Sequence, residues 1–519
     1  MDSYKLENLS PLSRIEPRLR WLLPADLYAN VWVNPTPDTL MLVFNHLRTM
    51  RHVLSDYLPR PAADNPPMPG YSRHGWSEGT LMFTDLAGFT RLLEANATYG
   101  RAGAETLLGV LNSYFKEMIE VVSKSGGLLL EFTGDAMLIQ FAADPLDNHT
   151  ARAVRAGLRM QRAMDQFAAI ETMQGRLSLG MRIGIHTGRF LAADIGTPRR
   201  MEHVLLGHTV LQTKRTEGAG RVGSVCLTEA AYQQVRDRFR FEAGATGYYL
   251  VVDDLSHEEL GEYEITPSRK RQAGSLLLER SVEGMVTEIE TLLGTVEKLA
   301  SYLPMPILTL LAESASRRRI IPDFPDLSVL FVNLIGLPES IDYAEEGEEA
   351  RAVENFSRTF ALINAAVEAR GGVLKNVTYH LSGSDMLIYF GVPNAHTNDP
   401  SRAAATALTI REIVNQLDTF WISGRQVQVR CQIGISRGPV FAAEIGEPRG
   451  RREFNILGDT VNIAARLMSR AGENQILMTE AAYKSIAQRF VCEPLGLFSL
   501  KGKAFSIPIF ALTSQQQES

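Results

Sequence analysis

Apolar residues recur along the chain with two periods, which predict amphipathic helices and short strands. One helix is predicted by apolar residues spaced three and four apart: Leu107, Leu111, Phe115, Met118 and Val122. A Gly-Gly pair at residues 126–127 is typical of the C-terminus of such a helix. Two apolar runs, at residues 128–132 and 136–141, then flank a Thr-Gly-Asp turn, and this arrangement predicts a β-hairpin.

The same order of elements occurs twice. Three pairs of blocks match: residues 83–89 with 331–337, 134–139 with 383–388, and 206–210 with 457–461. The residue numbers within these pairs differ by 248, 249 and 251. A Tyr-Leu-Pro sequence, preceded by a predicted helix, stands ahead of each copy. Because separated blocks keep nearly one spacing, the chain is predicted to contain two copies of one module.

In each copy, the residue pattern predicts a strand, a helix, a hairpin, a further helix and a strand. This order favours an α+β fold, with an antiparallel-rich sheet covered by helices. The predicted organisation is an N-terminal helical segment at 1–75, a first domain at 76–265, a helical linker at 266–323, a second domain at 324–513 and a disordered tail at 514–519.

Composition narrows the classes of function. The 519 residues include 45% hydrophobic and 22% charged residues, and the net charge of −6 gives no sign of a nucleic-acid surface. Three cysteines form neither a disulfide framework nor a zinc set, which fits a reducing compartment. Because no apolar run approaches the ~20 residues needed to span a bilayer and the N-terminus lacks a signal-peptide pattern, we expect a cytoplasmic protein without a membrane span.

Two acidic residues of the first copy are candidates for metal binding. Asp85 follows a predicted strand and precedes a small-residue turn into a helix, whereas Asp135 lies in the predicted hairpin turn. Taken singly, each has an ordinary structural explanation, as a helix cap and as a turn residue. Together they supply the oxygen ligands that hard divalent cations need for phosphoryl or nucleotidyl transfer.

These blocks resemble the signature sequences of class III nucleotidyl cyclases. The similar segments are residues 83–90, 131–136, 434–440, 457–467 and 498–503. In that family, two catalytic domains pair head to tail and form composite sites at their interface. One domain supplies two metal-binding Asp residues, and its partner supplies an Asn for the ribose, an Arg for the transferring phosphate and a pair of base-binding residues.

The two copies have lost complementary parts of this set. Copy one keeps Asp85 and Asp135 but has Leu211 at the position of the Asn. Copy two keeps Asn462 and Arg466, whereas its acids have become Asn333 and Ser384. One complete composite site and one degenerate site are therefore expected within a single chain. This pattern resembles the tandem-domain, pseudoheterodimeric adenylyl cyclases, including the soluble ones, and implies a monomer with intramolecular pairing.

The resemblance assigns further residues to the complete site. Asn462 and Arg466 are the expected catalytic residues, and two Mg²⁺ or Mn²⁺ ions are expected at Asp85, Leu86 and Asp135. The triphosphate is expected to contact Gly88, Phe89, Thr90, Arg199 and Lys501. The reaction implied is in-line attack of the ribose 3′-OH on the α-phosphate, which releases pyrophosphate.

The base-binding positions depart from those of the relatives. Counting back from the motifs places His380 and Asn455 where adenylyl cyclases usually carry Lys and Asp or Thr. His can donate to adenine N1 and the Asn carbonyl can accept from N6, but the Asn amide can equally donate to guanine O6. ATP is the favoured substrate and GTP the alternative.

Two further alternatives stay open. Arg215 and Glu131 persist in the degenerate site, which is compatible with a small effector there. A catalytically weak module that binds nucleotide and signals through its helices also fits the unusual His380 and Asn455.

Overall fold

The computed structural model describes residues 11–172, 175–261, 281–315, 320–380, 383–448, 450–499 and 506–516. Its helices are α1 Pro11–Leu19, α2 Ala25–Val33, α3 Pro37–Asp56, α4 Arg60–Asp64, α5 Phe89–Ala97, α6 Gly100–Lys124, α7 His149–Ala163, α8 His208–Ala219, α9 Glu229–Val235, α10 His257–Leu260, α11 Val282–Ala300, α12 Met305–Ser314, α13 Glu349–Glu368, α14 Asp399–Asn415, α15 Asp459–Arg470 and α16 Glu480–Ile486. Short 3-10 helices lie at Met164–Phe167 and Pro338–Tyr343.

The strands fall into two similar series. Copy one contains β1 Arg73–Ala87, β2 Leu128–Thr133, β3 Ala136–Ala142, β4 Ile170–Thr172, β5 Gly175–Leu177, β6 Gly180–Gly196, β7 Met201–Leu206, β8 Val225–Thr228, β9 Phe241–Ala243 and β10 Tyr248–Val251. Copy two contains β11 Asp326–Ile335, β12 Val373–His380, β13 Gly383–Phe390, β14 Phe420–Ile422, β15 Arg425–Val427, β16 Arg430–Pro439, β17 Phe441–Gly446, β18 Arg452–Leu457, β19 Gln475–Thr479, β20 Phe490–Phe498 and β21 Ile507–Gln515.

Both copies form the α+β sheet that the sequence predicts. The strand order is β2-β3-β1-β6-β8-β10-β9 in copy one and β12-β13-β11-β16-β19-β21-β20 in copy two. The pairings within each order are antiparallel, except for the parallel pairs β6–β8 and β16–β19. The predicted stripe on α6 is buried against this sheet, because its five apolar residues are at most 2% exposed.

The two copies pair head to tail through reciprocal arms. In copy one, the arm β6–β7 reaches the partner helix α13, where the Gly196 N–H donates to Ser357 Oγ at 2.9 Å. In copy two, the arm β17–β18 reaches α6, where the Gly446 N–H donates to Asn112 Oδ1 at 3.2 Å. One hydrophobic core contains residues of both copies, including Leu81 and Phe360. The pairing is therefore intramolecular and approximately two-fold symmetric.

The helix ahead of each copy joins this symmetry. α3 and α11 bury their apolar faces in one shared core and end just before the two Tyr-Leu-Pro sequences. Tyr57, ahead of copy one, donates to Glu444 of copy two at 2.7 Å. Tyr302, ahead of copy two, donates to Asp194 of copy one at 2.9 Å. The tyrosine that follows each helix therefore contacts the opposite copy.

The structure differs from the sequence prediction at the C-terminus. Ser514 and Gln515 continue strand β21 and pair with β20, so the predicted tail at 514–519 begins too early. Backbone pairing stabilises these polar residues without any need for apolar side chains. Residues 1–10, 266–280, 316–319 and 517–519 of the predicted segments lie outside the described residues, and the remaining domain boundaries stay predictions. Among the described helices, none combines the length and the apolar composition that crossing a bilayer requires.

Candidate composite active site

The two acids of copy one lie at the same end of neighbouring strands. Asp85 is near the end of β1, and Asp135 is in the turn just before β3, which pairs with β1 so that Thr84 faces Met137. Burial, and then the negative charge of Asp85, raises the pKa of Asp135 to about 8. Two carboxylates that repel each other in this way form a site that a divalent cation would stabilise.

An arginine that the sequence analysis missed contacts one of these acids. Arg182 lies directly opposite Asp85 in the β1–β6 ladder, and its Nη2 is 2.5 Å from Asp85 Oδ2. The same guanidinium is 2.7 Å from Glu217 of α8 through its Nε. The signal for this role was in the sequence, because the residue equivalent to Arg182 in copy two is the neutral Gln432, opposite Asn333.

The turn after Asp85 leads into the N-terminus of α5, where no side chain caps the first backbone N–H groups. Gly88 has a φ of 93° and precedes α5, and a Cβ on it would lie 2.6 Å from the Ser178 carbonyl oxygen. Glycine is therefore required there. Phe89 is buried and anchors the helix, whereas Thr90 is exposed at its first turn. The N-terminus of α5 is thus suited to an anion such as a phosphate.

Copy two places its part of the site against the hairpin of copy one. Asn455 of β18 donates through Nδ2 to the Gly134 carbonyl oxygen at 3.1 Å. Just beyond, a Cβ on Gly458 would lie 3.5 Å from Leu93 of α5. Asn462 is one turn further along α15, about 6 Å at ~1.5 Å per residue, and Arg466 follows on the same face. Within the described part of the chain, neither of these two side chains makes a hydrogen bond or ion pair with another residue.

Arg199 does not lie near the two acids, and its assignment to the triphosphate is wrong. The β1–β6 ladder pairs Asp85 with Arg182 and Arg73 with Asp194, twelve residues away, so that about 40 Å of strand at ~3.3 Å per residue separates the two pairs. Arg199 follows still further on, in the arm that contacts α13. The short Gly-Thr-Pro-Arg sequence gave no information on the length of the preceding strand.

His380 also lies away from the expected position, because the hairpin of copy two is four residues longer. The residue four before Asp135 is Glu131, which pairs with Leu138, and the equivalent pair in copy two is Asn376 with Leu387. His380 pairs with Gly383 beyond this point, next to Tyr379, whose carbonyl contacts copy one. The half-exposed Asn376 is therefore the structural counterpart of Glu131.

The sequence contained a signal for this shift. The Gly-Gly pairs at residues 126–127 and 371–372 are 245 apart, but the next matching glycines, Gly134 and Gly383, are 249 apart. Lys501 lies outside the described residues. The contact of Leu86 with a metal and the roles of Asn462 and Arg466 stay predictions.

The second interface between the copies, formed by the equivalent strands of copy two and helix α8 of copy one, has the same framework with different side chains. Asn333 donates through Nδ2 to Gln432 Oε1 at 3.0 Å, where copy one has the charged pair of Asp85 and Arg182. Ser384 is fully buried. Lys214 of α8, only 9% exposed, donates to the Tyr379 carbonyl oxygen at 2.6 Å, and its equivalent in α15 is Ala465.

The backbone N–H groups of the second interface are bonded to carboxylates of the protein itself. The Gly336 N–H, equivalent to that of Gly88, donates to Glu339 Oε2 at 2.8 Å. The His208 N–H, at the start of α8, donates to Asp342 Oδ1 at 2.6 Å. Two groups that could bind a phosphate are thus occupied from within the chain.

Comparison with known proteins agrees with this architecture. Residues 73–259 and 322–514 match the family described as "Adenylate and Guanylate cyclase catalytic domain". "Adenylate cyclase type 10" from Oryctolagus cuniculus is 23% identical over 80% of this chain, and "Adenylate cyclase" from Mycobacterium tuberculosis is 30% identical over 40%. The chain spans 24% and 43% of the length of these two relatives.

One solved structure resembles both modules together. A class III adenylyl cyclase-like ATP-binding protein from Pseudomonas aeruginosa aligns with a TM-score of 0.53 and 14% identity, covering 84% of this chain and 92% of that one. At this identity the likeness concerns the fold alone. From the matched residues, the chain belongs to the adenylate and guanylate cyclase catalytic domain family and carries two copies of that domain.

Proposed function

We propose that this protein converts ATP to 3′,5′-cyclic AMP and pyrophosphate at one composite site. The observation that carries the proposal is the 3.1 Å hydrogen bond from Asn455 of copy two to Gly134 of copy one, beside Asp135. It brings the acids of one module next to the helix that carries Asn462 and Arg466 in the other. In the reaction, a bond forms between the ribose 3′-oxygen and the α-phosphorus, the 3′-OH proton is released, and the α–β bridging bond breaks.

The side chains of the composite site divide the work between the two copies. Asn462 orients the ribose, and Arg466, four residues on, stabilises the charge that develops on the α-phosphate. The N–H groups at the start of α5 bind the distal phosphates. Arg182 is the nearest guanidinium to the acids, so we assign it a contact with the triphosphate in place of Arg199.

A divalent metal fits the donors of copy one. Asp85, Asp135 and the Leu86 carbonyl would hold the two expected ions, Mg²⁺ or Mn²⁺, which when bound would lower the pKa of the 3′-OH and neutralise triphosphate charge. Among the described residues, no group of three or more His, Cys, Asp or Glu side chains could hold a metal ion. The triphosphate oxygens would therefore complete the ligand set.

The candidate base-binding amide is Asn376, which takes the place of His380. An amide can bind either adenine or guanine, so this residue alone does not select the base. Relatives named adenylate cyclases favour ATP as the substrate. GTP stays the alternative.

The test is an assay of the purified chain with each of the four ribonucleoside triphosphates and Mn²⁺ or Mg²⁺. We expect cyclic AMP and pyrophosphate in equal amounts, at rates well above those with the other nucleotides. Cyclic GMP as the main product would establish the alternative substrate. No cyclic product from any nucleotide would contradict the proposal.

A second candidate is a nucleotide-binding module without turnover. It is favoured by the ion pair between Arg182 and Asp85, in which one carboxylate oxygen of Asp85 already has a partner. The structurally similar Pseudomonas protein is itself described as ATP-binding and cyclase-like. Tight ATP binding without product would support this candidate.

A further inference from the structure

Asn455 makes a hydrogen bond that joins the two copies beside the candidate metal site. It is 1% exposed, on β18, and its Nδ2 donates to the Gly134 carbonyl oxygen at 3.1 Å. Its Oδ1 accepts from the Ile456 N–H at 3.0 Å. Both ends of the amide are therefore bonded to the backbone.

These two bonds also fix the orientation of the amide. If the amide were reversed, Oδ1 would face the Gly134 carbonyl and two acceptors would meet, while Nδ2 would face the Ile456 N–H and two donors would meet. A buried polar pair without a partner costs roughly 1–3 kcal/mol. The observed orientation is thus the one that the surrounding backbone requires.

The accepting carbonyl belongs to the peptide that leads into Asp135. Gly134 has a φ of 69°, in the left-handed region, and forms the turn between β2 and β3. Because the peptide unit is planar, a hydrogen bond to the Gly134 oxygen also orients the Asp135 nitrogen. The second interface lacks this contact, since the residue equivalent to Asn455 is Val204, whose side chain cannot donate.

We propose that Asn455 is a positioning residue that orients the Asp135 turn across the interface, and that base discrimination does not depend on it. This proposal rests on the proposed function, because it concerns the same composite site. It differs from the sequence expectation, in which Asn455 contacts the base. Asn455 thereby couples the pairing of the two modules to the geometry of the metal ligands.

Two substitutions separate positioning from base recognition. Asn455→Val introduces the residue of copy one and removes the donor, whereas Asn455→Asp places an acceptor against the Gly134 carbonyl but keeps an acceptor for adenine N6. We expect both variants to lower turnover with ATP and with GTP by about tenfold or more, while the ratio of the two rates changes by less than about twofold. A base-binding role instead predicts that Asn455→Asp retains turnover with ATP and raises its preference over GTP.

A binding measurement distinguishes this proposal from failure of the proposed function. Mn²⁺ affinity is measured by electron paramagnetic resonance in the presence of 3′-deoxy-ATP, which cannot cyclise because it lacks the 3′-OH. We expect the apparent Mn²⁺ dissociation constant to rise about threefold or more in both variants. Val204→Ala is the matched control at the second interface, and we expect it to leave the affinity unchanged.

Thermal unfolding and analytical gel filtration of each variant show whether the fold is kept. If Asn455→Val does not fold, Asn455→Asp and Asn455→Ser carry the test. Unchanged Mn²⁺ affinity in the folded variants would overturn the proposal, as would a shift in the ATP-to-GTP ratio of more than about tenfold. If the parent makes no cyclic product, the Mn²⁺ measurement still decides the role of Asn455.

Discussion

The two interfaces between the copies have the same backbone framework and opposite chemistry. The first has Asp85, Arg182 and Glu217 in one ion-paired cluster, and the equivalent residues of the second are Asn333, Gln432 and Met468. All three charges are missing together in the second interface. Because each charge of this half-buried cluster is balanced by a neighbour of opposite sign, loss of the acid favours loss of its partners.

The second interface is also filled. Lys214 lies at the position equivalent to Ala465 of the first interface, and it contacts the β12–β13 hairpin of copy two. That hairpin is four residues longer than the β2–β3 hairpin of copy one. Glu339 and Asp342 accept hydrogen bonds from the backbone N–H groups of Gly336 and His208 at this interface. We propose that the second interface is a structural contact, and the small effector predicted for it stays a prediction.

The largest expected effect comes from removing a group of the first site. Asp135→Ala removes a metal ligand and should lower turnover by about 10³-fold or more, since metal-ion catalysis supplies several kcal/mol. Asn462→Ala should lower it by about 10²-fold. Cyclic nucleotide is measured at saturating substrate. Ser384→Ala, the matched control at the second interface, should retain turnover, and equal losses in the control would contradict the comparison.

A smaller loss is expected when the first site is filled like the second. Ala465→Lys places a long side chain on the face of α15 that carries Asn462 and Arg466, and should lower turnover by about 10²-fold through loss of substrate affinity. Initial rates over a range of substrate concentrations measure it. The reciprocal change, Lys214→Ala, should leave the rate within about twofold. A fully active Ala465→Lys variant would show that α15 does not line the site.

Neutralising the missed arginine should have an intermediate effect. Arg182→Gln reproduces the residue of copy two and removes a cation from the triphosphate, which should raise KM for the nucleotide and lower kcat/KM by about 10- to 100-fold. Steady-state kinetics with Arg199→Gln as the comparison measures it. We expect Arg199→Gln to match the parent, because Arg199 is exposed on the distant arm. A larger loss of kcat/KM in Arg199→Gln than in Arg182→Gln would restore the assignment of Arg199 to the triphosphate.

The smallest effect is expected at the second interface. Asp342→Asn weakens the charged acceptor of the His208 N–H and should lower the free energy of unfolding by about 1 kcal/mol. Chemical denaturation measures this change, and turnover at a temperature below the transition should stay within about twofold. Loss of turnover without loss of stability would mean that the second interface takes part in catalysis.

The sequence was sufficient for those features that depend on local patterns and on the repeat. The α+β modules and the helix ahead of each Tyr-Leu-Pro follow from periodicity and matching blocks, whereas the head-to-tail pairing was expected from the resemblance to the cyclases. Arg182 and Asn376 could not be assigned from motifs, because each depends on strand register. The pairing of strands β1 and β6 decides that Arg182 lies opposite Asp85. The four additional residues in the hairpin of copy two decide that Asn376, and not His380, is the counterpart of Glu131. Neither feature changes a motif.

The central claim is that only one of the two interfaces binds substrate. Isothermal titration of the full chain with 3′-deoxy-ATP and Mn²⁺ gives the number of sites directly. We predict one site per chain, kept in Ser384→Ala and lost or strongly weakened in Asp135→Ala and Asn462→Ala. Two sites of similar affinity, or one site that survives both of the last substitutions, would contradict it.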